Sequence, residues 1–410
     1  MVNNENDKLS SVLSSLTSKI PRTLVGLERQ EFIGQFIDKQ PEQIKLFLRE
    51  VIERYVLKMH SLEASDLDYG GEGCMGRIWY RIYGEKKPET RTRSWSFDET
   101  DVLLQNILMK SQKQHLYDYR YVDFSFEATS NSTKLRCRAT IYFDLNHLAM
   151  NMRLINNIVR PLKELNFHPQ AQKALNLKHI KSGLVLVTGI TGSGKSSTLD
   201  SIIDLNNRSM NAHIVIISDP VEYVHEPKMS VVRHREIGRD VRSFKDGTIQ
   251  ALRQDPDIIV IGEMRDPETI MTVVEVADSG HKVFSTLHTS SARESIDRIL
   301  GETDPNEQER LRERLSDVLT CVISQKLVPS KDGKRVLAKE VLLATPPIRS
   351  AIRNNNTEEI YQMIYQSNHL GMITMEQDLA RLYNEHKISY EEGYNQANNK
   401  KRYEELVQFS

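Results

Sequence analysis

Residues 183–196 read Gly183-Leu-Val-Leu-Val-Thr-Gly189-Ile-Thr-Gly-Ser-Gly-Lys195-Ser196. The first six are an apolar, β-branched run of the kind buried on both faces of a parallel sheet. The remainder satisfies GxxxxGK[ST] at every position, between a predicted strand and a helix predicted from Lys195. Gly189, Gly192 and Gly194 let the backbone close around phosphate groups, with Thr191, Ser193, Ser196 and Ser197 completing the lining. Amides of the loop and of the helix N-terminus face inward. Lys195 is positioned by this pattern to neutralise β and γ phosphates, and Ser196 to hold Mg²⁺.

Further along, apolar runs and helical segments alternate. HIVIIS precedes a helix in KDGTIQALRQ, DIIVIGE precedes one in TIMTVVEVADSG, and KVFSTLH follows. That alternation predicts a doubly wound α/β domain beginning near residue 166. Chemistry in such sheets gathers at the carboxyl ends of the strands. DIIVIGEMRD delivers Glu263 to one such end, expected on a strand beside that of the P-loop, where a carboxylate orders metal or attacking water. DPVEYVHE places Asp219 and Glu222 past another, with Glu222 the candidate general base. His281 and His288 bracket KVFSTL, and seven extended residues separate them by about 23 Å, too far for one metal. His288, at the carboxyl end, is the candidate sensor of a γ phosphate.

Beyond Ser291 the chain reads as mainly helical, interrupted by KLVPSKDGKRVLAKEVLLA, a hairpin with Asp332-Gly333 at its turn. Before residue 166 the pattern differs. A polar start gives way to FIGQFIDKQPEQIKLFLREVIERYVLKM, two helices with Pro41 opening the second. IWYRIYG, YVDFSFEA and KLRCRATIYF then read as strands, with a turn at Ser130-Asn131-Ser132. We therefore expect a helical extension over residues 1–60, an α+β domain over 61–165, a P-loop domain over 166–395 and a polar tail over 396–410.

Composition supports two globular domains. The 410 residues exceed one ordinary core, and 39% hydrophobic with 27% charged excludes fibrous and largely disordered classes. With 55 Lys+Arg against 56 Asp+Glu, no bulk attraction to nucleic acid or anionic membrane is expected. Cys74, Cys137 and Cys321 form no CxxC pair and predict neither a zinc ribbon nor a disulfide framework. No stretch approaches the roughly 20 apolar residues of a membrane span, so a cytoplasmic protein reaching membranes only through partners is expected.

The P-loop, the acidic box DPVEYVHE, DPDIIVIGEMRD and the histidine box ending STLHT together resemble the secretion-ATPase superfamily of type IV pilus and type II/IV secretion motors. Within it, the likeness is nearest to the twitching-motility retraction branch. The resemblance covers residues 120–395, and EASDLDYGG looks like the opening of the family's PAS-like domain. It implies a PAS-like N-terminal domain and a RecA-like ATPase domain with a helical C-terminal part. It also implies ATP and Mg²⁺ as ligands, with Ser196 and Glu263 on the metal, and a homohexamer with nucleotide between the two domains. By the same resemblance, Arg136, Arg138 and Arg153 contact the γ phosphate. Catalysis falls to Glu222, Glu263, Lys195 and His288. The expected partner is an inner-membrane platform protein of a pilus or secretion machine, at the inner face of the inner membrane, and other motor ATPases are further partners.

Pro347-Ile-Arg-Ser-Ala-Ile-Arg-Asn354 resembles the AIRNLIRE-type helix of retraction motors, while three dispersed cysteines cannot build the zinc module of extension motors. Ser218 stands where an acidic residue is usual, and Ile190 where proline is. Three readings follow: a filament-retracting motor, a type IV secretion or conjugative-transfer ATPase, and an ATP-binding regulatory ring.

Overall fold

The computed structural model describes residues 2–408 apart from 91–92, 131–132 and 156–158. The expected turn at Ser130–Ser132 therefore lies, for Asn131 and Ser132, outside the described residues. The chain divides into two compact units, one holding the described residues up to 157 with Asp219–Tyr223, the other the rest.

The first unit begins with three helices, α1 (Val2–Thr17), α2 (Gly26–Asp38) and α3 (Glu42–Ser61). The polar, Ser/Asn-rich start is thus itself helical, and Pro41 caps α3 from just outside. Strands β1 (Ala64–Gly70), β2 (Trp79–Ile82) and β3 (Glu85–Pro88) follow, then α4 (Phe97–Ile107) and α5 (Lys110–Tyr119). Last come β4 (Tyr121–Ser130), β5 (Thr133–Asp144) and β6 (His147–Leu154). Helix α4 starts on a capping box in which Ser96 and Glu99 satisfy each other's backbone amides. The six strands pair antiparallel in the order β3-β2-β1-β6-β5-β4.

Period-two alternation turns Leu67, Tyr69, Phe124, Phe126, Ala139 and Ile141 to one face of this sheet, where they share a single core with Leu13, Ile33, Ile52 and Leu103 of the helices. The alternate residues, Asp66, Asp123, Arg138 and Arg153 among them, fall on the opposite face. A sheet covered on one side and polar on the other is the ordinary antiparallel arrangement.

In the second unit α6 (Pro169–Leu175) precedes β7 (Gly183–Thr188), α7 (Lys195–Ser209), β8 (His213–Ser218), β9 (Val231–Glu236), α8 (Phe244–Ala251), β10 (Ile258–Ile261), α9 (Pro267–Asp278) and β11 (Lys282–Leu287). Helices α10 (Ala292–Gly301) and α11 (Gln308–Val318) lead to the hairpin β12 (Leu319–Pro329) and β13 (Arg335–Leu343). Helices α12 (Pro346–Arg353), α13 (Ile360–Gln366), α14 (Met375–Asn384), α15 (Tyr390–Gln396) and α16 (Lys400–Gln408) complete it. The sheet runs β13-β12-β7-β11-β10-β8-β9, parallel except for the β12–β13 hairpin.

Both faces are covered. Leu184 and Leu186 of β7 enter one core with Val215, Ile259 and Val273, while Val185 and Val187 enter another with Ile203, Ile216 and Val260. Every residue of β7, β10 and β11 is buried. β7 and β10 are apolar runs buried on both faces, so their functional groups sit past their ends, whereas β11 also buries Lys282, Ser285 and Thr286 within the sheet. Strand β11 lies between β7 and β10, so the strand leading to Glu263 is not beside the P-loop strand as expected. One-dimensional order does not report which crossover inserts a later strand between two earlier ones. Tyr403 of α16 is fully buried among Leu379, Leu382 and Ile388. Among the described residues, no helix is long and apolar enough to cross a membrane.

Candidate nucleotide site

Strand order β7-β11-β10 brings three carboxyl ends side by side. The P-loop follows β7, His288 follows β11, and Gly262-Glu263 follows β10. Gly189 adopts φ +149°, and a Cβ on it would lie 2.4 Å from Ser193 Oγ and 2.5 Å from the Gln325 carbonyl oxygen. Only glycine fits there. Gly194, at φ +89°, is the residue from which α7 starts, so the helix amides open toward the loop. Around Gly192, also at positive φ, there is open space.

Lys195 Nζ donates to the carbonyls of Gly189 (2.7 Å) and Ile190 (3.2 Å), folding over the loop it belongs to. Partial burial lowers its pKa, opposed by the Glu263 carboxylate. Ser196 and Ser197 in the first turn of α7, with Thr191 in the loop, are exposed. Ser193 is buried, and its carbonyl accepts from Gln325 Nε2 at 2.7 Å.

Glu263 is half-buried and held from two sides. His288 Nε2 lies 3.1 Å from its Oε1, and Arg265 Nε donates to its Oε2 at 2.8 Å. His288 has a lowered pKa despite this carboxylate, because desolvation and then the positive charge of Lys195 outweigh it. Its Nε2 faces Glu263 Oε1 across that 3.1 Å contact. Arg298 fixes the loop by donating to the His288 carbonyl at 3.0 Å. His281 sits at the other end of β11, bonded to Ser279 Oγ through Nδ1 (2.9 Å), apart from this group.

Lys195, Glu263 and His288 are thus brought together within the second unit. Glu222, half-buried, belongs with the first unit, as does the whole Asp219–Tyr223 segment, where Arg136 Nε donates to the Val221 carbonyl at 2.8 Å. The three arginines lie on the polar face of the first unit's sheet. Arg136 pairs with Glu127 and donates to Ser125 Oγ (2.8 Å), Arg138 lies 3.9 Å from Asp123, and Arg153 Nε donates to Asp66 Oδ1 at 2.8 Å.

Sequence reasoning missed Gln325, Arg265, Arg298 and the His225–Asp200 contact (3.1 Å), which joins the end of the acidic box to α7. Arg265 carried a signal, two residues beyond Glu263. Gln325 carried none, since only the pairing of β12 with β7 sets it against Gly189.

Residues 123–406 match the family model described as type II/IV secretion system protein. A twitching motility protein of Neisseria gonorrhoeae is 35% identical over 345 residues, covering 84% of this chain and 90% of that one. The type IV pilus retraction ATPase PilT of Pseudomonas aeruginosa is 38% identical over 293 residues, covering 72% and 83%. Among solved structures, the crystal structure of the pilus retraction motor PilT with bound ADP superposes with a TM-score of 0.76 at 35% identity, covering 86% of this chain and 99% of that one.

Proposed function

We propose, from the premise that this chain belongs to the type II/IV secretion system protein family, that it is an ATP-hydrolysing motor of the pilus-retraction kind. The observation that carries the reading is the convergence of Lys195, Glu263 and His288 on the glycine cradle at three adjacent strand ends. The residues fit a nucleoside triphosphate with Mg²⁺. The positive-φ glycines, the α7 amides and a lysine with no acidic side chain bonded to it make an anion cradle. When bound, Mg²⁺ neutralises charge on the β and γ phosphates.

Gly189, Thr191, Gly192, Ser193, Gly194, Lys195, Ser196 and Ser197 are the proposed phosphate-binding residues, with Ser196 and Glu263 directed to the metal. Lys195 has to leave the carbonyls of Gly189 and Ile190 to reach a phosphate. Glu263, already oriented by His288 and Arg265, would order the attacking water or the metal shell. His288 would exchange its contact with Glu263 for a hydrogen bond to a γ phosphate and so register its loss. Glu222 remains the proposed general base. Arg136, Arg138 and Arg153 are proposed γ-phosphate contacts, a role for which each must release its carboxylate.

Family resemblance supports a homohexameric ring acting on a platform protein at the inner face of the inner membrane. Deleting the gene and imaging surface filaments tests the direction of the motor. Retraction predicts an excess of filaments, whereas loss of filaments or no change overturns it.

A further inference from the structure

Glu340 of β13 is buried, with 2% of its surface exposed. Its Oε1 accepts from the Ala292 amide at 2.7 Å, and the Met375 amide lies near enough to its carboxyl to lower the pKa. Those two amides are the first of α10 and of α14. The leading amides of a helix have no partner inside it. In both helices the capping side chain serves the third amide, Ser291 Oγ taking Glu294 N (3.1 Å) and Thr374 Oγ1 taking Gln377 N (3.3 Å). The first amide is left over in each, and one carboxylate accepts that of α10 and faces that of α14.

The two helices belong to different parts of the unit. α10 follows directly on the loop 288–291, while α14 opens the C-terminal group of helices. A second tie runs in parallel. Asn398 Nδ2 donates to the Ser290 carbonyl (3.2 Å), and Asn398 Oδ1 accepts from Lys326 Nζ (2.7 Å), which also donates to the Gln396 carbonyl (2.6 Å). On its other side the loop is bonded toward the P-loop strand, through Thr289 Oγ1 to Ser295 Oγ (2.7 Å) and on to Thr188 Oγ1 (3.4 Å).

We propose that Glu340 is a positioning residue that seats the His288 loop and carries its displacement on nucleotide turnover to helices α14 to α16. This rests on the ATPase reading above. A carboxylate between two helix N-termini is favoured by both helix dipoles, so it holds the two helices at a fixed separation. Burial pushes its carboxyl up to about 7. The groups that face it are the two backbone amides, the Glu376 carboxylate of α14, which raises the value, and the Lys326 ammonium of β12, which lowers it. Protonation removes the negative charge that the two helix N-termini face, and weakens the acceptor offered to them. The tie is complete above neutral pH and weakened below it.

The test uses the full chain as wild type, Glu340→Gln and Glu340→Asp, with MgATP hydrolysis measured across neutral pH. Hydrogen exchange at Ala292, Met375 and α14 to α16 is followed with and without a non-hydrolysable ATP analogue. Glutamine puts an NH₂ where an acceptor is needed and so mimics the protonated state permanently. We expect kcat of the wild type to fall as pH drops through about 7. In Glu340→Gln that inflection is expected to be absent and kcat lower by between about two- and thirtyfold, with KM within about twofold. The nucleotide-dependent change in exchange at α14 to α16 is expected to be lost. Aspartate, shorter by one methylene, should reach one amide and fall between. Wild-type kcat, pH profile and exchange difference in Glu340→Gln would overturn the proposal. If Glu340→Gln does not fold, the aspartate variant decides by the same readouts. If the wild type binds no nucleotide, the ATPase reading fails by itself, while joint loss of protection at Ala292 and Met375 in the variants still reports on the carboxylate.

Discussion

The two sheets handle charge in opposite ways. In the antiparallel sheet of the first unit, alternation turns every second residue outward, and cross-strand pairs take up the charges: Arg153 with Asp66, Lys86 with Asp68, Arg138 with Asp123. In the parallel sheet of the second unit no position along β7 or β10 is free to be polar outward, since both faces are cores. The polar groups that follow β7, β10 and β11 lie past the strand ends, where they meet one another. The contrast separates charges spread along a surface from charges concentrated at a point, and only the second arrangement assembles Lys195, Glu263 and His288.

Substitutions that act at the point should cost most. Glu263→Gln is expected to lower kcat for MgATP on the order of a thousandfold, about 4 kcal/mol at the transition state, by analogy with removal of one oriented polar group from an enzyme site. The same change removes the carboxylate that raises the His288 pKa, so the His288 titration followed by NMR should move further down. A His288 value that stays put or rises would mean that the pair is not formed in solution. Next in size is the sheet itself. Ile259→Ala, at a fully buried position of β10, should destabilise the second unit by about 3 kcal/mol in chemical denaturation. Smallest is the spread-out kind of charge. Arg153 is mostly exposed, and Arg153→Ala should cost less than about 1 kcal/mol of stability. A loss as large as that of Ile259→Ala would break the distinction between the sheets.

The same distinction governs what the sequence discloses. Strands β7 and β10 were legible because burial on both faces writes a continuous apolar run, and β11 was legible through Val283, Phe284 and Leu287 between Lys282 and the histidine that follows it; the carboxyl-end residues followed from them. Edge strand β9, VVRHRE, carries three charged side chains and a histidine, so it offers no such run. Helices α4 and α5 were passed over between more conspicuous strands, although Ser96 and Glu99 spell a capping box. The polar sequence of α1 hides the Leu9, Leu13 and Leu16 stripe that packs into the first unit's core. In the site, motif spacing gave Lys195, Ser196, Glu263 and His288. Gln325 and Glu340 were beyond reach, because their roles depend on how the hairpin β12–β13 pairs with β7 and abuts helices far along the chain. Whether Glu263 follows a strand next to β7 was likewise a question of crossover, not of local pattern.

The central claim is that the glycine cradle and its lysine serve ATP hydrolysis. Steady-state phosphate release from MgATP by the wild type and by Lys195→Ala, measured side by side on folded protein, tests it most directly. Turnover by the wild type and a loss of at least about a hundredfold in the variant is the expected result. Equal turnover by the two proteins would contradict the account.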